Sequence, residues 1–190
     1  MRDADVRARS TGAAASLETP DLRLVSYSPP HLLALIESAE SFEVAFGTPA
    51  AAGLRDFMVS DEISPAWSTQ LRASPAADVW THGFGVVHHE SASVVGMAGF
   101  KGPPDESGMV EIAYGIVPKF ERRGFATQAA AALVAFASVN PSVRLIRAHT
   151  LPTPNASTRV LTKCGFEFVG IVEDPDDGTV WRWERSPASV

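Results

Sequence analysis

The most chemically suggestive stretch of the sequence is a charged, glycine-containing turn at residues 119–124, KFERRG. It follows an apolar run that Pro118 ends and precedes apolar residues at helical spacing, which predicts a strand, a turn and a helix. No Ser, Thr, Asp or Asn stands where the helix needs an N-cap, so its first N–H groups lack a side-chain acceptor. Nearby cations and a glycine that permits close backbone approach make this helix start suitable for an anion such as a pyrophosphate.

The turn differs from two common phosphate-binding loops. It lacks both the G-x-x-x-x-G-K-S/T spacing of nucleoside-triphosphate loops and the G-x-G-x-x-G spacing of dinucleotide turns. The sequence alone leaves one alternative open, an ordinary strand-to-helix connection with solvated arginines.

Two segments of the chain resemble motifs of one family. Residues 121–126, ERRGFA, resemble the acetyl-CoA signature R/Q-x-x-G-x-G/A of the GNAT N-acetyltransferase superfamily, with Glu121 where the family usually has Gln or Arg. Residues 155–166, NASTRVLTKCGF, resemble the N-x-x-S-x-R-V-L-E-K-x-G-F run of GNATs similar to the ribosomal-protein alanine N-acetyltransferases. In this second segment the Asn lies one residue closer to the Ser than usual, and Thr162 replaces Glu.

The resemblance covers residues 22–185 and implies a fold, a co-substrate and a binding site. The implied fold is the α/β (α+β) GNAT fold, a mixed central sheet of about seven strands in the order β-α-α-β-β-β-α-β-α-β-β, with the cofactor cleft between the central strand and the strand after it. The implied co-substrate is acetyl-CoA without a metal, and the implied acceptor is a primary amine on a protein N-terminus or a small molecule. The implied cofactor-binding residues are Ile116, Val117, Arg122, Arg123, Gly124, Phe125, Ala126, Thr127, Asn155 and Arg159.

Acetyl transfer requires a group that takes the amine proton and one that protonates the departing thiolate. On the central strand, Glu111 shares a face with small side chains, which predicts room for a ligand, and the resemblance places a catalytic or water-orienting Glu on this strand. A solvated strand glutamate is the alternative. Many GNATs carry a tyrosine proton donor on the helix of the second motif, but Leu161 stands there, so Ser157 is predicted as the substitute. A capping or core hydroxyl is the alternative for Ser157, as an N-cap is for Asn155.

Around these motifs the chain divides into a tail and one domain. Residues 1–20 are small, polar and charged, which predicts a mobile tail, and residues 21–186 are predicted to form a single domain. Residues 41–77, interrupted by three prolines, are predicted to be short helices and loops that either line an acceptor pocket or cap the sheet. The predicted strands are residues 22–26, 78–89, 93–101, 109–117, 144–151, 166–173 and 179–185, and the predicted long helix begins at residue 125.

Composition narrows the function classes. With 190 residues, 45% apolar and 20% charged, the chain resembles a soluble globular protein, and a net charge of −6 argues against a general nucleic-acid surface. One cysteine excludes an internal disulfide, and the absence of a signal-like or membrane-spanning run predicts a cytoplasmic protein without a membrane partner. The five histidines lack metal-ligand spacing, so no metal site is expected.

The sequence therefore predicts an acetyl-CoA-dependent N-acetyltransferase in which the amine attacks directly within a ternary complex. Cys164, on a buried helix face, is expected to be a poor nucleophile. The alternative is a non-catalytic acyl-CoA-binding sensor or interaction domain of the same fold. A homodimer is left open.

Overall fold

The computed structural model describes residues 8–11, 14–59, 65–74, 76–175 and 177–187. Its strands are β1 (Ala8–Thr11), β2 (Ala14–Glu18), β3 (Leu22–Ser26), β4 (Phe84–His88), β5 (Ser93–Phe100), β6 (Met109–Ile116), β7 (Leu145–Thr150), β8 (Glu167–Asp174) and β9 (Gly178–Arg185). Its helices are α1 (Pro29–Glu37), α2 (Ala39–Phe46), α3 (Leu54–Met58), α4 (Pro65–Ala73), α5 (Val79–His82), α6 (Phe125–Ser138) and α7 (Ala156–Lys163), with a 3-10 turn at Pro118–Phe120. The strands form one mixed sheet in the order β1-β2-β3-β4-β5-β6-β7-β9-β8.

The predicted GNAT order is confirmed from β3 onward, except that the described chain has five short helices, α1 to α5, rather than two between β3 and β4, and the sheet has nine described strands rather than about seven. The two additional strands lie within the predicted tail. β2 pairs antiparallel with β3, and Leu17 on β2 is only 1% exposed. The prediction of a mobile tail is therefore wrong for residues 14–18, because one buried leucine and a ladder partner suffice to order a segment of polar composition. Residues 1–7, 12 and 13 lie outside the described residues.

A second correction concerns the predicted strand at residues 78–89, which is a short helix followed by a strand. Asp78 caps α5 by accepting a hydrogen bond from the backbone N–H of Trp80, and Gly83 ends the helix before β4 begins. The alternating pattern predicted a strand that begins too early. The side chain of Asp78 caps a helix at that point, and this local hydrogen bond competes with strand pairing.

Strand β6 pairs with different neighbours along its two halves. It runs antiparallel to β5 from Ile112 to Ile116, but it is parallel to β7 only at its first three residues, Met109, Val110 and Glu111. Helix α6 makes the crossover between these two parallel strands. Within the described chain, the β7-facing edge of β6 has no ladder partner from Ile112 onward, and this confirms the predicted cleft between the central strand and the next.

Helix α6 covers the sheet with an almost entirely apolar surface. Its buried residues are Phe125, Ala129, Ala130, Ala132, Leu133, Val134 and Ala137. Four alanines among them let the helix lie close to β5 and β6, while Leu133 is fully buried and contributes on the order of 1.5–3 kcal/mol. This packing fixes the start of α6 relative to the end of β6, which is where the charged turn lies.

The region of residues 41–77 forms short helices and loops, as predicted; residues 60–64 and 75 lie outside the described part. Phe42, Leu54 and Leu71 are buried, so most of this region caps the sheet. Phe57 on α3 is not buried with them, because 47% of its surface is exposed.

In the described part of the chain, no helix combines the length and the apolarity needed to cross a membrane.

Candidate functional site

A cavity of about 520 Å³ opens between the C-terminal half of β6, the start of α6 and helix α7, and we call it the cofactor cavity. Its lining residues are Phe57, Tyr114, Gly115, Ile116, Phe120, Glu121, Arg122, Gly124, Phe125, Ala126, Thr127, Ala156, Ser157, Arg159, Val160 and Lys163.

One end of the cavity is formed by the uncapped start of α6. Gly124 is the N-cap residue with a φ of 84°, and no side chain caps the helix. Among the described residues, the N–H groups of Phe125, Ala126 and Thr127 find no acceptor. Arg122 also has a positive φ, of 63°, and residues with positive φ are a feature of the concave backbone turns that bind anions. The uncapped helix start and the cationic Arg122 side chain make this end of the cavity suited to an anion.

Not every residue predicted around the turn faces the cavity. Ile116 lines it, but Val117 is fully buried and donates its N–H to the Val95 carbonyl at 2.9 Å. The Arg123 guanidinium lies 5.2 Å from the centre of the Phe120 ring, outside the lining. Because Arg122 and Gly124 have positive φ values, neighbouring side chains of the turn point in different directions. The spacing of residues in the sequence could not predict these directions.

Helix α7 forms the second wall and contributes Ser157 and Arg159, both predicted. Asn155 is not part of the lining, because its side chain caps α7 by accepting from the Thr158 N–H at 3.0 Å. The Thr158 hydroxyl in turn accepts from the Asn155 N–H at 3.1 Å, which completes a capping box. Leu161 is 1% exposed, consistent with the absence of a family-type proton donor at that position.

Glu111 lies outside the cofactor cavity, in a cluster with Lys101, His149 and Asp177 that we call the Glu111 cluster. Glu111 Oε1 accepts from Lys101 Nζ at 2.9 Å and from His149 Nδ1 at 3.1 Å, and the Glu111 side chain is 13% exposed. Lys101 Nζ also lies 3.6 Å from Asp177 Oδ2. The predicted room beside Glu111 is therefore filled by neighbouring side chains.

The charges of this cluster change the acidity of its lysine. Partial burial by itself lowers the pKa of Lys101, but the hydrogen bond and charge of Glu111 and the charges of Asp177 and Asp174 outweigh it and raise that pKa. His149 is 9% exposed, and its Nε2 is buried without a hydrogen-bond partner in the described part of the structure.

Tyr114 is a cavity residue that the sequence did not identify as functional. Its hydroxyl points toward α7 and donates to the Ser157 carbonyl at 3.5 Å. Burial, with a smaller contribution from the charge of the Cys164 thiolate, raises the pKa of Tyr114, so the phenol keeps its proton far above neutral pH. The one available signal was a tyrosine in the apolar face of the central strand, which periodicity alone assigns to the core.

Two further groups bear on the chemistry. Cys164 is 8% exposed, its Sγ lies 3.7 Å from the Thr127 carbonyl, and burial raises the pKa of its thiol, so it is poorly suited to be a nucleophile. No group of three or more His, Cys, Asp or Glu side chains within the described ranges is placed to hold a metal ion.

Comparison with known proteins agrees with this fold. Residues 22–167 match the model of the acetyltransferase (GNAT) domain. An uncharacterized N-acetyltransferase of Bacillus subtilis, YjdG, is 34% identical over 81 residues, which are 43% of this chain and 48% of that protein, so the match spans about half of that relative.

Solved structures share the fold at low identity. The ribosomal-protein-S5-alanine acetyltransferase of Vibrio fischeri superposes with a TM-score of 0.64 at 13% identity, covering 91% of this chain and 97% of that one. A GNAT-family acetyltransferase of Bacillus anthracis has a TM-score of 0.61 at 16% identity, covering 92% and 99%. RimL, a ribosomal L7/L12 alpha-N-protein acetyltransferase solved with coenzyme A, has a TM-score of 0.60 at 14% identity, covering 88% and 95%. Because the family model matches more than three quarters of the chain, this protein belongs to the acetyltransferase (GNAT) domain family.

Proposed function

We propose that the protein transfers the acetyl group of acetyl-CoA to a primary amine by direct attack within a ternary complex. The observation that carries this proposal is the uncapped start of α6. Within the described residues, its first three N–H groups have no acceptor and face a cavity that is also bordered by a strand edge without a ladder partner. The helix start suits the diphosphate of the co-substrate, and the strand edge suits the extended arm of the co-substrate, which contains amide groups.

Apart from the Glu121 carboxylate in the turn, the lining residues fit the co-substrate. Arg122 and the N–H groups of Phe125, Ala126 and Thr127 would hold the diphosphate, and Arg159 and Lys163 would add positive charge from α7. The β7-facing backbone of β6 near Ile116 would exchange hydrogen bonds with the arm as an added strand does. The thioester would then lie near Tyr114 and Ser157.

We assign the two proton transfers to different halves of β6. The amine nitrogen attacks the thioester carbonyl carbon, a C–N bond forms, and the C–S bond breaks. We propose that Tyr114 gives its proton to the departing thiolate, because its buried hydroxyl stays protonated, with Ser157 as the neighbouring hydroxyl that could take this role. We propose Glu111 as the acceptor of the amine proton, because an ammonium, that of Lys101, already fits against its carboxylate at 2.9 Å.

The same ion pair favours a second function. Glu111 is already bound by Lys101 and His149, so a domain that binds acyl-CoA without transferring the acyl group would keep this cluster intact. A sensor would bind the co-substrate and show no turnover, whereas an enzyme must release Lys101 from Glu111 when the acceptor enters.

For the acceptor we propose a protein N-terminus, with small-molecule amines as the other class. The support is the likeness of residues 155–166 to the ribosomal-protein type, together with the names of the relatives found by fold. The pocket would include described parts of residues 41–77 and the turn near Asp177.

Thiol release from acetyl-CoA, measured against a panel of N-terminal peptides and small amines, tests the proposal, with calorimetric binding of acetyl-CoA measured in parallel. Binding with amine-dependent thiol release is the expected result. Binding without release by any amine would favour the sensor, and absence of binding would reject both functions.

A further inference from the structure

We propose that Phe57, packed over Gly115, restricts the acyl group of the co-substrate to acetyl. This inference rests on the proposed function and deepens it, because it assigns the selection among acyl thioesters to a residue outside the family motifs.

The ring of Phe57 lies directly against the backbone of β6. A Cβ atom added at Gly115 would lie 2.3 Å from Phe57 Cζ and 2.6 Å from Cε1, distances at which something must shift. Only a residue without a side chain therefore lets the ring approach this closely. Both residues line the cofactor cavity, and Phe57 is its one described lining residue from the segment between β3 and β4.

The ring occupies the end of the cavity that is remote from the phosphate site. Strand β6 leads toward the charged turn, and Tyr114 and Gly115 are its lining residues farthest from that turn. A strand rises about 3.3 Å per residue, so Gly115 and Tyr114 lie roughly 3–7 Å beyond Ile116, where the arm is proposed to pair, and they would face the acyl end of a bound acyl-CoA. The acyl group therefore enters the space that Phe57 bounds.

Helix α3, which carries the ring, is anchored by the two residues at its N-terminal end. Leu54 is fully buried, and Arg55 Nη2 donates to the Ile36 carbonyl at 2.7 Å. The ring itself remains 47% exposed, so a large apolar side chain contacts the cavity with one part and solvent with another. An anchored ring with this placement acts as a fixed wall against added methylene groups.

The test compares acetyl-CoA with butyryl-CoA in the parent and in Phe57→Ala. Calorimetry gives the two dissociation constants, and turnover with a fixed amine gives the two kcat/KM values. Removing the ring should raise both the affinity and the kcat/KM for butyryl-CoA, relative to those for acetyl-CoA, by about tenfold. The reason is that the two additional methylenes of butyryl-CoA can then be buried. Phe57→Leu should give an intermediate change.

Phe168→Ala is the matched control, because Phe168 is 48% exposed and does not line the cavity. Gly115→Ala in the Phe57→Ala background should partly restore the preference for acetyl-CoA, since the new methyl refills the opened space. An unchanged ratio in folded Phe57→Ala, or an equal change in Phe168→Ala, would overturn the inference while leaving acetyl transfer standing. A parent that binds neither thioester would overturn both.

Discussion

The two halves of strand β6 differ in what borders them. The first half, up to Glu111, pairs with β7, and its one carboxylate is bound by Lys101 and His149. The second half, from Tyr114 to Ile116, lacks a partner on that edge within the described chain and opens onto the cofactor cavity. The same alternating strand thus provides a closed polar cluster and an open binding surface. The missing neighbour, rather than the residue types, makes the second half available to a ligand.

The largest expected effect tests whether the first half of β6, which carries Glu111, takes part in acetyl transfer. Glu111→Gln keeps the shape of the side chain but removes the proton acceptor, so kcat should fall by roughly 10²–10⁴-fold with the Kd of acetyl-CoA nearly unchanged. A variant that turns over like the parent at every pH would reduce the Glu111 cluster to a structural role.

The next largest effect tests whether the second half of β6, which carries Tyr114, takes part in acetyl transfer. Tyr114→Phe removes one hydroxyl that is placed beside Ser157, so kcat should fall by roughly 10²-fold while the Kd of acetyl-CoA stays within a factor of a few. Because the pKa of Tyr114 is raised, the parent should show no alkaline loss of activity from this group below about pH 10, the ordinary tyrosine value. If Ser157→Ala lowers kcat and Tyr114→Phe does not, the donor is the serine.

A third prediction concerns the turn at the far end of the cavity. Gly124→Val places a β-branched residue at a φ of 84°, so we expect acetyl-CoA affinity to fall by roughly 10–100-fold from backbone strain alone. No atom lies within 4 Å of the position that a Cβ would take there, so Gly124→Ala should lose less acetyl-CoA affinity than Gly124→Val. Calorimetry measures the acetyl-CoA affinity of both variants, provided that their melting temperatures match that of the parent. Equal and negligible losses of affinity would contradict the assignment of this turn to the phosphates.

A smaller effect is expected from charge at the same turn. Arg122→Ala should weaken acetyl-CoA binding by roughly tenfold, because a charge-assisted hydrogen bond is worth about 1.5–3 kcal/mol before solvent screening reduces it. Arg123→Ala is the matched control, since that guanidinium packs on Phe120 instead. Affinity should fall as salt rises, less steeply in the Arg122 variant, and identical salt slopes in both variants would contradict the assignment.

The smallest effect concerns the ion pair of the first half of β6. The folded-state pKa of Lys101 is raised, so its stabilisation is present below the unfolded lysine value of about 10.4 and is lost as pH rises through the folded value. Lys101→Met should therefore flatten the fall of Tm above about pH 10. Its cost at neutral pH should be at most about 1 kcal/mol, because the lysine is 46% exposed. An unchanged alkaline slope would show that the pair contributes nothing.

Much of the fold could be predicted because its signals are local. Helix α6 and the strands after it follow hydrophobic periodicity, and the cofactor turn is contiguous in the chain, so its missing cap and positive charges are visible within residues 119–127. Strand β2 was missed because a polar segment becomes ordered only through its partner β3 and the burial of Leu17.

The sequence by itself determined the family, the order of the main elements and the uncapped, positively charged start of α6, since each depends on neighbours within a few residues. The tertiary structure decided which side chains meet across the cavity. Phe57 reaches Gly115 from another segment, the Tyr114 hydroxyl reaches Ser157 across the cleft, and Lys101 closes over Glu111. These pairs are 58, 43 and 10 residues apart in sequence, and no local propensity encodes a contact that packing of separate elements creates.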